Sequence, residues 1–247
     1  MSALHAPRCL DKLPSGPVLV FAPHPDDEVI GVGGTLGLHA QQGDCVHVVV
    51  AFDGALGLAS RDPQDACTTR QREARAAGEA LSAGDASISY QFLGLPEGHD
   101  PTPGELQQGA TRLAQILIER QATSLYAPWP GDAHRDHRSL AQALALALEQ
   151  IPASQRPAHR WGYEVWSTLE PTALVDVTCM TARKRAALAC HVSQGPRELT
   201  RRALGLSAWR SAHMESDQRH AEALCPFPLW DSAGWQPHTC ALPVPRP

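Results

Sequence analysis

The sequence predicts an α/β fold in which helices cover both faces of a mostly parallel sheet, giving three layers. Short apolar segments rich in β-branched residues alternate with longer segments of helical periodicity. Such alternation is typical of parallel strands joined by right-handed helical crossovers. In folds of this kind, ligands bind outside the carboxyl ends of the strands. The functional residues are therefore expected along that edge of the sheet.

Each element follows from the same periodicities. Residues 46–52 (VHVVVAF) have the pattern of a buried strand, whereas residues 69–81 (TRQREARAAGEAL) have that of a helix. The expected strands are 18–22, 46–52, 88–95, 124–127, 163–166 and 174–177, and the expected helices are 28–42, 69–81, 105–120, 136–149, 181–191 and 196–212. Since no linker divides the chain, we expect one domain over 1–247, with a lead-in over 1–16 and a proline-rich tail over 226–247.

Composition argues against several classes of protein. The chain has 247 residues, 43% hydrophobic and 19% charged, which is ordinary for a folded protein. A net charge of −5 without a basic stripe argues against nucleic acid as a partner and favours a small molecule. Without an apolar segment long enough to span a bilayer, or a signal-peptide core, we expect a cytoplasmic protein. Seven scattered cysteines without a CxxC pair argue against disulfides and a thiolate zinc site. Assembly into a homo-oligomer is left open.

Two clusters of acidic residues and histidines follow predicted strands. The first is HPDDE at residues 24–28, and the second is HRDH at residues 134–137. Charged groups at the mouth of a buried strand are costly to desolvate unless helix amides, a cation or a metal compensates them. Acidic residues at these places could simply cap the helices that follow. Each cluster also contains a histidine that capping does not need, and this favours a metal site.

The residue types suit a hydrolytic metal site. His24 and Asp27, with one histidine of the second cluster, would supply two imidazoles and a carboxylate and leave a position open for water. Asp26 then suits a general base, and Asp136 suits a carboxylate that orients a histidine ring. The remaining histidine could stabilise an oxyanion.

Two other functions stay open at this stage. One is a different metal hydrolase, such as a phosphoesterase with two metal ions, although the ligands suffice for one good site only. The other is a binding module for a sugar or nucleotide without catalysis, suggested by the glycines within residues 31–34 (GVGG). Because these glycines lie inside the predicted helix, they indicate close helix packing more than a phosphate cradle.

The two clusters resemble the paired HPDDE and HxDH signatures of the LmbE/PIG-L family of metal-dependent N-acetylglucosamine deacetylases, which includes mycothiol- and bacillithiol-pathway enzymes. Further matches are Asp53-Gly54, Arg70 with Glu73, residues 92–96 (FLGLP), residues 163–166 (YEVW), and His191, Ser193 and Gln194. The resemblance implies an LmbE-like, Rossmann-like three-layer domain. It also implies hydrolysis of an N-acetyl or other N-acyl group from a sugar conjugate, which releases a free amine and a carboxylate.

The resemblance assigns roles to both clusters. They are the zinc ligands His24, Asp27 and His137, the general base Asp26, His134 as assistant to the oxyanion or leaving amine, and Asp136 as the residue that orients a histidine. Iron or cobalt, as Fe²⁺ or Co²⁺, would also suit these ligands.

Three further residues are candidate substrate contacts: Arg70, Glu97 and Asp53. An intrahelical pair with Glu73 is the alternative for Arg70. The chain departs from the family pattern in two places. Asp132 stands where some relatives have a tyrosine that donates to the oxyanion, and Glu97 stands in LPEG where the family commonly has LPDG. The sugar conjugate itself cannot be read from the residues.

Overall fold

A computed structural model describes residues 7–10, 12–58, 62–214 and 217–228. The strands are β1 (Arg8–Cys9), β2 (Val18–Ala22), β3 (Val46–Phe52), β4 (Ile88–Leu95), β5 (Ser124–Pro128), β6 (His159–Tyr163), β7 (Ala173–Asp176) and β8 (Ala221–Pro226). The helices are α1 (Asp27–Gln41), α2 (Pro63–Ser82), α3 (Pro103–Arg120), α4 (Arg135–Gln150), α5 (Thr181–Cys190) and α6 (Pro196–Arg210).

The strands form one sheet in the order β1-β7-β8-β6-β5-β2-β3-β4. Every neighbouring pair is parallel except those that β8 makes with β6 and β7, which are antiparallel. One core lies between the sheet and α1, α2, α5 and α6, and the other lies between the sheet and α3 and α4. The predicted three-layer α/β fold with a mostly parallel sheet is therefore confirmed.

Strand β2 shows why the central strands read as continuous apolar runs. Val18, Val20 and Ala22 point into the first core, and Leu19 and Phe21 point into the second. Because side chains alternate between the two faces and both faces are covered by helices, each position of the strand must be apolar. This two-sided burial made β2 and β3 predictable to the residue.

The structure differs from the predicted elements at both ends of the chain. Within the expected lead-in, β1 pairs with β7, so this segment contributes to the sheet. The antiparallel strand β8 was not predicted, and β6 begins four residues before the expected strand at 163–166. Of the expected tail, Pro226 ends β8, and residues 229–247 lie outside the described residues. Tertiary pairing, and not local pattern, decides these strands.

A buried ion pair explains why β8 escaped prediction. Glu222 is the second residue of the strand and accepts from Lys184 Nζ at 2.6 Å. Its oxygens also accept from the amides of Gly34 and Thr35, both at 2.7 Å, and Lys184 Nζ donates to the Ile30 carbonyl at 2.8 Å. A buried charge within a strand is tolerated here because it is fully hydrogen-bonded. The contacts connect β8, α1 and α5.

The glycines of α1 allow close packing against the sheet. A Cβ at Gly31 would lie 2.3 Å from Tyr163 Cδ2 and 2.8 Å from the Glu164 carbonyl oxygen. A Cβ at Gly34 would lie 2.5 Å from Val177 Cβ. The interpretation of these glycines as packing residues is confirmed, and they do not form a phosphate cradle. Among the helices of the described ranges, none is long and apolar enough to cross a membrane.

Replacing Gly31 by alanine is expected to destabilise the protein by about 1–3 kcal/mol, because the added methyl group overpacks the α1–β6 contact. The matched control is Gly205→Ala in α6, where a Cβ would meet no atom within 4 Å. That change should stabilise the protein by up to about 1 kcal/mol through the helix preference of alanine. Urea unfolding measures both values, and a Gly31→Ala protein as stable as the control would contradict the packing argument.

Candidate metal and catalytic site

The two motifs meet because their strands are neighbours. Residues 24–28 follow β2, residues 132–137 follow β5, and these strands pair in parallel from Val18 with Ser124 onward. On the other side of β2 lies β3, followed by β4 and by Glu97. Since parallel strands end at one edge of the sheet, all these segments converge there.

The carboxylate of Asp27 lies between two histidines. Its Oδ2 is 3.1 Å from His24 Nδ1 and 3.1 Å from His137 Nε2, and it accepts from the His24 amide at 2.9 Å. With metal bonds of about 2.0–2.1 Å, neighbouring ligand atoms of a tetrahedral zinc site lie about 3.3 Å apart. The two distances from Asp27 are close to that spacing.

His137 is the strongest sign that the site fits a metal. Its side chain is 0% exposed, and neither ring nitrogen makes a hydrogen bond of acceptable geometry within the described residues. Burial lowers its pKa, but the Asp27 and Asp132 carboxylates more than offset this and raise the pKa to about 9. A buried imidazole without a partner is costly. A site that favours positive charge at this place suits a cation.

His24 shares in every candidate ligand set found among the described residues. Ligand atoms of His24, His134 and His137 lie within 4.8 Å of one another, as do those of His24, Glu97 and Asp136. Burial lowers the pKa of His24, but hydrogen bonds to Asp136, Asp27 and Glu97 raise it to about 11. The edge of the sheet thus carries a cluster of histidines and carboxylates able to bind a metal.

Asp26 is the carboxyl group beside this cluster. It is buried, and Arg70 Nη2 lies 3.1 Å from its Oδ1. Burial raises the pKa of Asp26 to about 7, although the Arg70 charge acts in the opposite direction. A carboxyl group with a pKa near neutrality is suited to accept and return a proton.

Arg70 was expected to contact substrate or to pair with Glu73. The structure places its guanidinium on Asp26 and on the Gly54 carbonyl, at 3.0 Å from Nη1. Glu73 instead accepts from the Ser193 amide at 2.9 Å and from the Ser193 hydroxyl at 2.6 Å. The helix thus holds a site aspartate with one side chain and the 192–194 turn with the other.

The second motif begins helix α4. His134 is the N-cap residue, and its Nδ1 accepts from the Asp136 amide at 3.3 Å. Burial and the nearby rings of His137 and His24 lower the pKa of His134, which favours its neutral form. Asp136 Oδ2 lies 3.1 Å from His24 Nε2, so the histidine that Asp136 contacts through its side chain comes from the first motif.

The other two substrate candidates have local partners. Asp53 Oδ1 accepts from the Ala55 amide at 3.0 Å, in the turn after β3. Glu97 Oε2 lies 3.2 Å from His24 Nε2, and its Oε1 accepts a short hydrogen bond from the Leu56 amide. Glu97 therefore faces a histidine of the site.

Sequence reasoning missed a structural role for Asp132. Its Oδ1 accepts from the His134 amide at 2.8 Å and lies 3.5 Å from His137 Nδ1, and its Oδ2 accepts from the Trp166 amide at 3.1 Å. The signal in the sequence was an acidic residue two positions before His134, which by itself indicates only the replacement of a tyrosine found in some relatives. His191, given no role, is fully buried and has no hydrogen bond from its ring among the described residues.

Comparison with known proteins places these features in a family context. The chain is 32% identical over 147 residues to a probable N-acetyl-alpha-D-glucosaminyl L-malate deacetylase 2 of Bacillus anthracis, covering 57% of this chain and 62% of that protein. It is 29% identical over 163 residues to a 1D-myo-inositol 2-acetamido-2-deoxy-alpha-D-glucopyranoside deacetylase of Kineococcus radiotolerans, covering 53% of this chain and 44% of that protein. The matches thus span less than two thirds of either relative.

Solved structures share the fold. N,N'-diacetylchitobiose deacetylase from Pyrococcus horikoshii superposes with a TM-score of 0.70 at 23% identity, covering 86% of this chain and 84% of that one. GalB, the 4-carboxy-2-hydroxymuconate hydratase of Pseudomonas putida, also has a TM-score of 0.70, at 22% identity, covering 85% and 95%. Because one neighbour is a deacetylase and the other a hydratase, the fold alone does not decide the reaction.

The family follows from the sequence match to both motifs. The model of the PIG-L family, described as GlcNAc-PI de-N-acetylase, matches residues 19–148, which is more than half of the chain and includes both clusters. The chain belongs to the PIG-L family.

Proposed function

We propose that this protein is a metal-dependent hydrolase that removes an N-acetyl or other N-acyl group from an N-acetylglucosamine-type conjugate, releasing a free amine and a carboxylate. The observation that carries the proposal is the contact of Asp27 Oδ2 with both His24 and His137, with the buried carboxyl group of Asp26 beside it. The names of the two deacetylase relatives support the substrate class.

We infer that His24, Asp27 and His137 hold the metal, and that zinc is the ion, although Fe²⁺ and Co²⁺ suit the same ligands. The ring nitrogens of the buried His137, which make no well-aligned hydrogen bond within the described ranges, support this set. When bound, such an ion acts as a Lewis acid toward water and toward the amide carbonyl.

The protein groups around the metal site would transfer the protons and stabilise the negative charge that develops on the carbonyl oxygen. Asp26 accepts the proton of the attacking water and returns it to the departing amine, a role that its pKa of about 7 supports. Arg70 keeps that carboxyl group in place. The neutral ring of His134, whose side chain is 41% exposed, is free to donate to the oxyanion. Asp136 holds the His24 ring through Nε2.

The three candidate substrate contacts, Asp53, Arg70 and Glu97, differ in how far other protein groups already engage their polar atoms. Asp53 lies at the end of β3 and keeps one carboxylate oxygen beyond its turn contact. The head groups of Arg70 and Glu97 are already engaged with Asp26, His24 and the turn between them. Asp53 is therefore the substrate contact we favour.

A dinuclear hydrolase, such as a phosphoesterase, receives less support. Both candidate ligand clusters in the described residues include His24. Two ions would have to share this one imidazole, whereas dinuclear sites usually share a carboxylate or water. One ion per chain is the arrangement we expect.

Replacing His24 by alanine is expected to abolish tight binding of zinc, because His24 belongs to each candidate ligand set in the part of the chain that the structure describes. The metal content after dialysis against chelator and reloading, measured by atomic emission, tests this. His159→Ala changes an exposed histidine on β6 and should leave one ion per chain. Full metal content in the His24→Ala protein would refute the site.

Two further variants distinguish the ligand sets. Asp27→Asn should lose most zinc affinity, whereas His134→Gln should keep the metal and lose turnover, if Asp27 and not His134 is the third ligand. Affinity is measured by competition with a chromophoric chelator. The reverse pattern would assign the ion to His24, His134 and His137.

Replacing Asp26 by asparagine should leave the metal bound and reduce turnover by at least about 100-fold, because an amide cannot accept the proton. The assay is acetate release from a panel of N-acetylglucosamine conjugates, with and without chelator. Asp100→Asn, at an exposed position, is the control. Undiminished activity in a metal-free Asp26→Asn protein, or no acetate release by the wild type from any conjugate, would contradict the proposed function.

A further inference from the structure

The outer nitrogen of His24 is faced by two carboxylates. Asp136 Oδ2 lies 3.1 Å from Nε2, and Glu97 Oε2 lies 3.2 Å from the same atom. The side chains of His24, Asp136 and Glu97 are 9%, 2% and 7% exposed, so little solvent screens these contacts. One N–H group can donate one well-aligned hydrogen bond at a time, and the second carboxylate therefore adds negative charge beside the ring more than a second bond.

The loop that follows β4 contains Glu97 and contacts Asp136. Glu97 Oε1 accepts from the Leu56 amide. The amide of Gly98, the residue after Glu97, donates to the Asp136 carboxylate, at 3.1 Å from Oδ1 and 3.2 Å from Oδ2. Gly98 has φ of +82°, a conformation that favours glycine, and it turns the loop around the edge of the site.

The turn that contacts Glu97 through the Leu56 amide also contacts Arg70. Leu56 lies in the short 3-10 turn Ala55–Gly57, and the carbonyl of Gly54, just before it, accepts from Arg70 Nη1 at 3.0 Å. Arg70 Nη2 in turn contacts Asp26. One short turn therefore connects Glu97, which faces His24, with Arg70, which contacts Asp26.

We propose that Glu97 is a positioning residue for the metal ligand His24, and that it does not contact the sugar. It acts with Asp136 to hold the His24 ring so that Nδ1 faces Asp27, 3.1 Å away. The inference rests on the metal site of the proposed function and adds a residue to it. A carboxylate that accepts from the far nitrogen of a metal-bound histidine fixes its tautomer and increases its basicity.

Side-chain length supports this role. The glutamate spans from the Leu56 amide to the His24 ring with its two oxygens. An aspartate at the same backbone position would be one methylene shorter, and could not make both contacts without movement of the loop. The residue type at position 97 is therefore matched to the distance between the turn and the histidine.

The test is zinc affinity of Glu97→Gln, measured against a chromophoric chelator. Glutamine keeps the shape but has one acceptor oxygen for two donors and no charge, so zinc should bind about 10- to 100-fold more weakly. Glu97→Asp restores the charge without the reach and should fall between the two. The control, Glu119→Gln, removes the same charge at an exposed position of α3 and should bind zinc as the wild type does.

The outcomes separate this inference from the proposed function. Wild-type protein that binds no metal would overturn the proposed function itself. Wild-type protein that binds zinc, with a Glu97→Gln variant of unchanged affinity, would overturn only the role of Glu97. An unchanged affinity together with a raised KM in acetate release would assign Glu97 to the substrate. Circular dichroism melting of each variant establishes that a lower affinity does not come from unfolding.

Discussion

One oxygen atom, Oδ2 of Asp27, joins the two halves of the site. It accepts from the His24 amide and lies 3.1 Å from a ring nitrogen of both His24 and His137. Although burial raises it, the two imidazoles hold the pKa of Asp27 well below its usual range, so this buried group is an anion. The remaining carboxylates stand behind the histidines, with Asp132 at His137 and Asp136 at His24. The arrangement concentrates buried negative charge at one place, and a cation bound there would stabilise it.

Elsewhere the protein tolerates buried charge by pairing it. Arg210 donates to both oxygens of Glu164, whose carboxylate also accepts from the Leu169 amide at 2.9 Å. Burial raises the pKa of Glu28 to about 8, although the hydrogen bond that the Tyr90 hydroxyl donates to Oε1, at 2.9 Å, acts in the opposite direction. The three acids of the HPDDE motif differ in pKa because each has different neighbours.

Local pattern was sufficient where both faces of an element are covered. Strands β2 and β3 have the predicted bounds because every side chain along β2, and most along β3, is buried. Helix α2 begins six residues earlier than predicted, since Asp62 caps it and Pro63 occupies its first turn, a start signal that the periodicity of later residues did not reveal. Strand β8 was missed because Glu222, its second residue, interrupts the apolar pattern, and the lysine that pairs with this glutamate, Lys184, is 38 residues away.

The sequence by itself determined the class of fold, the family and the residues that meet at the edge of the sheet. Motif spacing and strand alternation depend on local chemistry, which a chain carries in its own order of residues. Only the tertiary structure decided which side chain contacts which. These contacts are those of Arg70 with Asp26, of Glu97 with His24 and of Asp132 with His137. Arg70 and Asp26 are 44 residues apart in the sequence, and they meet only because the segments that follow neighbouring parallel strands converge at one edge of the sheet.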